Sequence, residues 1–145
     1  MIRKLGLNLF WLVAFSTQVV AAGLTGPDIV VVVEGAKTTT GHIMVAIYGS
    51  EESWLKEPLL ARKANPGPDG RTEIVFKREE LPEEFAISLY HDVNDNGAME
   101  TGFMRIPKEP YGFSNNPGFR MGPPLYAPSI VKRDEVEREV VIHLR

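Results

Sequence analysis

The order of apolar and polar positions along this chain spells strands. Ile29 to Glu34, IVVVVE, is a β-branched run with no polar alternate, which predicts a strand covered on both faces or a buried segment of ambiguous type. Thr38, Thr39, Thr40 and Gly41 punctuate it. His42 to Tyr48 then alternates, with Ile43, Val45 and Ile47 on one side and His42, Met44, Ala46 and Tyr48 on the other. Thr72 to Lys77 sets Ile74 and Phe76 on one face. Phe85 to His91 alternates again through Phe85, Ile87 and Leu89, and Arg138 to Leu144 does so through Val140, Ile142 and Leu144.

Glu52 to Ala64 is less regular. Trp54, Leu55, Leu59 and Leu60 have helix-like spacing, but Pro58 interrupts it, so a short helical turn followed by a short strand is expected. NPGPDG at 65–70 is a turn cluster, and LPEE at 81–84 is another break. Strands about every dozen residues, with no long helix, predict an all-β fold: an antiparallel β-sandwich of about seven strands. The spacing fails between Val93 and Val131, where Pro107, Pro110, Pro117, Pro123, Pro124 and Pro128 crowd the chain. Connections this long are usually functional or disordered. Phe103, Tyr111, Phe113, Phe119 and Tyr126 are too many aromatics for a disordered linker, so the expectation is one long ordered loop at 93–131, packed on an end of the sandwich.

The first residues belong to a different pattern. Met1 to Lys4 is positive, Leu5 to Phe15 is apolar, and Ser16 to Ala22 ends in small residues, the order of a cleaved signal peptide. The apolar run is too short to cross a ~30 Å hydrocarbon core, so no transmembrane anchor is expected after cleavage near Ala22. This reading divides the chain into a signal peptide at 1–22 and a single sandwich domain at 23–145. Arg3 and Lys4 leave with no acid, so the net charge moves from −3 to −5. No basic stripe exists for a phosphate backbone, which makes nucleic acid an improbable partner. The absence of cysteine excludes disulfides and thiol chemistry. A periplasmic or secreted protein held by its core alone is expected.

HDVNDNGAME, residues 91 to 100, invites comparison with a calcium loop. Counting from Asp92, Asn94 and Asn96 fill positions 3 and 5, Gly97 position 6, Ala98 offers the carbonyl of position 7, and Glu100 sits at 9. Position 12 is Phe103, which cannot ligate, and a strand rather than a helix enters the loop. Glu109 or backbone oxygens would have to complete the shell. With few charges, such a site would bind Ca²⁺ only at roughly 10⁻⁴ to 10⁻³ M. The alternative is that Asp92, Asn94 and Asn96 cap their own backbone and Asn96-Gly97 makes a turn.

The segment YHDVNDNGAMETGFMRIPKEPYGFSNN at 90–116, followed by GPPLYAPS, resembles the bacterial domain of unknown function 2141 family, exported proteins with HDxNxNG, IPKExYGFSNN and later GPP segments. The matching positions are Asp92, Asn94, Asn96, Gly97, Pro107, Glu109, Tyr111, Gly112, Phe113, Ser114 and Asn115. LPEEFAISLYHD fits as well, with Glu84 where the family often has glycine. The resemblance implies a prealbumin-like or immunoglobulin-like β-sandwich and no assigned activity.

Read for chemistry, PKEPYGFSNN offers Tyr111 and Phe113 as aromatic faces, with Ser114 and Asn115 as polar groups. That composition suits stacking on and hydrogen-bonding a small molecule, a glycan or a peptide of an envelope protein. The same residues could instead plug an end of the sandwich and close turns. His42, His91 and His143 lie on separate predicted strands without zinc spacing. Ser114 lacks the glycine of a nucleophile elbow. Met99, Met104 and Met121 are more readily packing residues than copper ligands. The reading that results is an exported, non-enzymatic module that binds a ligand or partner through its long loop. An envelope hydrolase using Asp92, Glu100 or Glu109 as its acid-base group is the alternative.

Overall fold

The structure is a computed structural model that describes residues 26–118 and 120–145. The signal peptide expected at 1–22 and Phe119 lie outside the described residues. Among these the chain forms eight strands and four short 3₁₀ turns. The strands are β1 (Ile29–Glu34), β2 (His42–Tyr48), β3 (Leu60–Ala64), β4 (Arg71–Phe76), β5 (Glu84–Asp92), β6 (Tyr111–Phe113), β7 (Ile130–Lys132) and β8 (Glu139–His143). One sheet has the order β4-β1-β8. The other has the order β3-β2-β5-β6, with β7 also paired to β5.

Period-two alternation makes this a sandwich. Ile29, Val31, Val33, Ile74, Phe76, Val140 and Ile142 of the smaller sheet face Ile43, Val45, Ile47, Phe85, Ile87 and Leu89 of the larger one, and all are buried. Each such side chain contributes roughly 1.5–3 kcal/mol by leaving water. The pairing is antiparallel except between β1 and β8, which run parallel. The β-branched run of β1 is buried on both faces as expected. Val30 and Val32, on its outer face, are flanked by Val75 and Val141 and by Arg71, which pairs with Glu34 and Glu73.

The open sides of the sandwich are held by side chains that reach backbone. Arg62 points inward from β3, stacks 4.4 Å over the Phe76 ring, and donates to the Val75 carbonyl and to Glu80. Arg78 is buried although charged. Its guanidinium donates to the carbonyls of Pro27, Arg133, Val136 and Glu137 and so ties three separate segments together.

The long loop expected over 93–131 requires correction. It is two connections separated by β6, and β7 ends the second. β6 is only three residues long and Pro110 precedes it, so alternation has no length in which to show.

Candidate functional site

The site begins where β5 leaves the sheet. His42 pairs with Asp92 in the last register of the β2–β5 ladder. Gly41 permits this: its φ is +71°, and a Cβ there would stand 1.8 Å from the Asp92 carbonyl oxygen. His91 points into the core end, with its Nε2–H donating to the Thr40 carbonyl at 2.8 Å. Asp92 faces the other way and is fully buried. Its Oδ1 accepts the Asn96 N–H at 3.1 Å and its Oδ2 the Gly97 N–H at 2.8 Å. The turn between them uses left-handed backbone at Asp95 and Gly97.

Glu109 completes the arrangement from the returning chain. It is 7% exposed, and its Oε1 accepts the Val93 N–H at 3.1 Å while its Oε2 accepts the Glu100 N–H at 3.2 Å. Charge-assisted bonds of this kind offset the cost of burying a carboxylate. Backbone bonds from Lys108 N–H to the Glu100 carbonyl and from His91 N–H to the Pro110 carbonyl fix the return path. The pair of acids also acts on Tyr90, which shares the outer face of β5. Burial first, then the charges of Asp92 and Glu109, raise its phenol above the ordinary range.

The expected calcium ligands are brought near one another, and most of their oxygens already accept hydrogen bonds within the loop. Both Asp92 oxygens and both Glu109 oxygens are taken by backbone N–H groups. Asn94 Oδ1 accepts the Asn96 N–H, and Asn96 Oδ1 accepts the Ala98 N–H. The amide NH₂ groups of Asn94 and Asn96 both donate to Glu100 Oε1, at 3.1 and 3.0 Å. Each of these oxygens keeps a lone pair beyond the N–H it accepts, so the bonds order the loop whether or not a cation joins it. Ala98 itself contributes its N–H to this network. Among the described residues, no three His, Asp or Glu side chains converge to hold a metal ion.

The aromatic motif is also placed differently from the ligand-binding expectation. Phe113 is buried in a second, smaller core on the outer face of the larger sheet, with Tyr48, Trp54 and Tyr126. Trp54 lies at the centre of this cluster, and its indole N–H donates to the Pro124 carbonyl. Ser114 is fully buried; its hydroxyl accepts the Ile87 N–H and donates to the Ser129 carbonyl. Asn115 and Asn116 adopt left-handed backbone, which asparagine tolerates. The Asn115 amide donates to the carbonyls of Pro128 and Ile130. That of Asn116 donates to the Val141 carbonyl and accepts the His143 N–H, imitating a strand partner on the free edge of β8. Only Tyr111 keeps a partly exposed ring, with the Arg145 guanidinium 5.7 Å from its centroid. Tyr111 thus remains accessible to a ligand, whereas Phe113 and Ser114 would have to leave the interior to touch one.

What the sequence does not mark is the apex of the first connection. A Thr101–Pro107 bridge and the Gly102 N–H to Ile106 carbonyl bond turn the chain back on itself. At the apex Phe103 is 88% exposed, Met104 68% and Ile106 63%. Composition puts Phe103 among packed aromatics; it stands in solvent instead, and Met104 beside it has φ +59°. The available signal is the apolar run FM-R-I between Gly102 and Pro107, where a turn should be polar. Two shallow grooves lie elsewhere. One, of about 590 Å³, separates β8 from the segment after β7 and includes Val136 and Val140. The other, of about 340 Å³, runs over the outer face of the larger sheet past Met44, Lys63, Ser88 and Tyr90.

No curated protein and no solved structure matches the chain. A family model does match, over residues 31–140, from within β1 to within β8. The span includes both buried carboxylates, the exposed apex and the whole YGFSNN segment. The chain therefore belongs to the family described as uncharacterized protein conserved in bacteria, DUF2141.

Proposed function

We propose that this protein is an exported, non-enzymatic binding module that meets its partner through the apex of the 93–110 connection. The observation that carries the reading is the exposure of Phe103, Met104 and Ile106 on a loop whose base is tied down by buried Asp92 and Glu109. Exposed clusters of large apolar side chains mark interaction sites, and a rigid base lowers the ordering cost of binding. Export is supported by the n-, h- and c-region order of residues 1–22.

Hydrolysis is less well supported. It needs two carboxylates converging on a cleft, or a nucleophile beside its base. Asp92 and Glu109 spend their oxygens on backbone N–H groups, and Ser114 is buried among backbone partners. Neither groove is lined by Asp92, Glu100 or Glu109.

The reading is tested by placing a photo-crosslinking amino acid at position 103 in cells and, as a control, at exposed Lys77. Adducts at 103 and none at 77 are expected; equal labelling at both positions sinks the proposal. The loop is further proposed to be ordered without metal. At about 10 mM calcium, far above the weak-site range, the melting temperature should not change. A rise that Asp92→Ala abolishes would restore the calcium site.

A further inference from the structure

We propose that the apex partner is an anionic lipid surface, into whose interface Phe103, Met104 and Ile106 insert; this rests on the binding-module reading above. Isolated exposed apolar side chains are ordinary on soluble proteins, but three large ones within four positions form a patch. Their setting favours lipid. The patch is the apex of a reverse turn, and a fluid interface accepts an apex of any shape, whereas a protein partner would need a matching hollow.

Backbone chemistry points the same way. Gly102 N–H donates to the Ile106 carbonyl, Ile106 N–H to the Phe103 carbonyl, and the Thr101–Pro107 bridge closes the turn below. These polar groups are partnered within the loop. That matters more in an apolar interface than in water, where solvent would satisfy them.

Charge supplies the preference for anionic headgroups. Between Glu100 and Glu109 the sequence carries Arg105 and Lys108 and no acid. The Lys108 stem lies against Gly102, its Cε 3.4 Å from where a Cβ on that glycine would stand, so its charge is held beside the apex. The two flanking acids lie at the feet of the loop rather than at its apex: Glu109 is buried on the Val93 and Glu100 N–H groups, and Glu100 accepts from the Asn94 and Asn96 amides. An apolar tip with a lysine held beside it is the arrangement of a peripheral membrane contact, which penetrates roughly 5–10 Å.

The test is flotation of the protein, purified from cells expressing the whole chain, with phosphatidylethanolamine–phosphatidylglycerol vesicles and with phosphatidylcholine vesicles. Binding to the anionic vesicles is expected, and Phe103→Asp should reduce the bound fraction about tenfold with an unchanged melting temperature. In a Phe103→Trp variant, vesicles of brominated lipid should quench fluorescence beyond the Trp54 background. Anionic-vesicle binding that Phe103→Asp leaves intact, or a Phe103→Trp fluorescence that brominated lipid does not quench, overturns insertion. Failure with vesicles alongside protein adducts at position 103 overturns the lipid inference while leaving the binding module; failure of both overturns the two together.

Discussion

Glu109 is the residue on which the exposed apex depends, because one carboxylate holds the Val93 and Glu100 N–H groups at the two feet of the loop. Glu109→Ala leaves both part-buried donors without their partner, which should cost about 1 kcal/mol in chemical denaturation and speed amide exchange at Glu100. Tyr90 gives the same neighbourhood a pH signature. Its phenol is raised by burial and then by Asp92 and Glu109, so the folded state keeps a proton that the unfolded chain gives up. Its contribution is therefore fully present below the ordinary phenol pKa of about 10 and is lost as pH rises toward the higher folded value. Urea titrations at pH 8 and above 10 should show a smaller alkaline loss for Tyr90→Phe than for the parent. Part of the slope should persist, because burial, then Glu84 and Glu52, raise Tyr126 in the same direction.

Among elements, β6 shows what the sequence could and could not reveal. β1 falls at its expected bounds because its run is apolar throughout, β2 does so too, and β4, β5 and β8 fall within a residue or so, because one buried face leaves a period-two trace. β6 and β7 leave none: at three residues each, they are strands by virtue of what they dock on. Gly112 is the clearest case. A Cβ there would come 2.6 Å from Ile142 Cγ2 and 2.9 Å from the His143 carbonyl oxygen, so glycine sets how closely β6 and β8 approach across the open side. Gly112→Ala should destabilise the fold by about 1–3 kcal/mol as an overpacked substitution, read as a lower denaturation midpoint with an unchanged slope. The candidate site was legible in part for the same reason. The oxygen-rich loop and Glu109's return to it follow from residue chemistry, but that chemistry does not say whether oxygens face a cation or backbone N–H groups. Burial of Phe113 and exposure of Phe103 are tertiary outcomes that aromatic composition alone cannot separate.

At the scale of the molecule, two cores of unequal size share one sheet. The main one lies between the sheets, and the smaller is gathered around Trp54 on the outer face of the larger sheet. The YGFSNN segment stitches β5, the start of β7 and the edge of β8 through Ser114, Asn115 and Asn116, a structural task that accounts for its unusual composition. The parallel pairing of β1 with β8 has a consequence in time. β1 is the centre of its sheet, and until β8 has been synthesised one of its edges has no neighbour. Contacts so distant in sequence fold slowly. Removing residues 139–145 should leave a chain that fails to show a cooperative melt. The smaller sheet accordingly closes only when its most distant segment docks, so contacts between neighbouring strands cannot by themselves complete it.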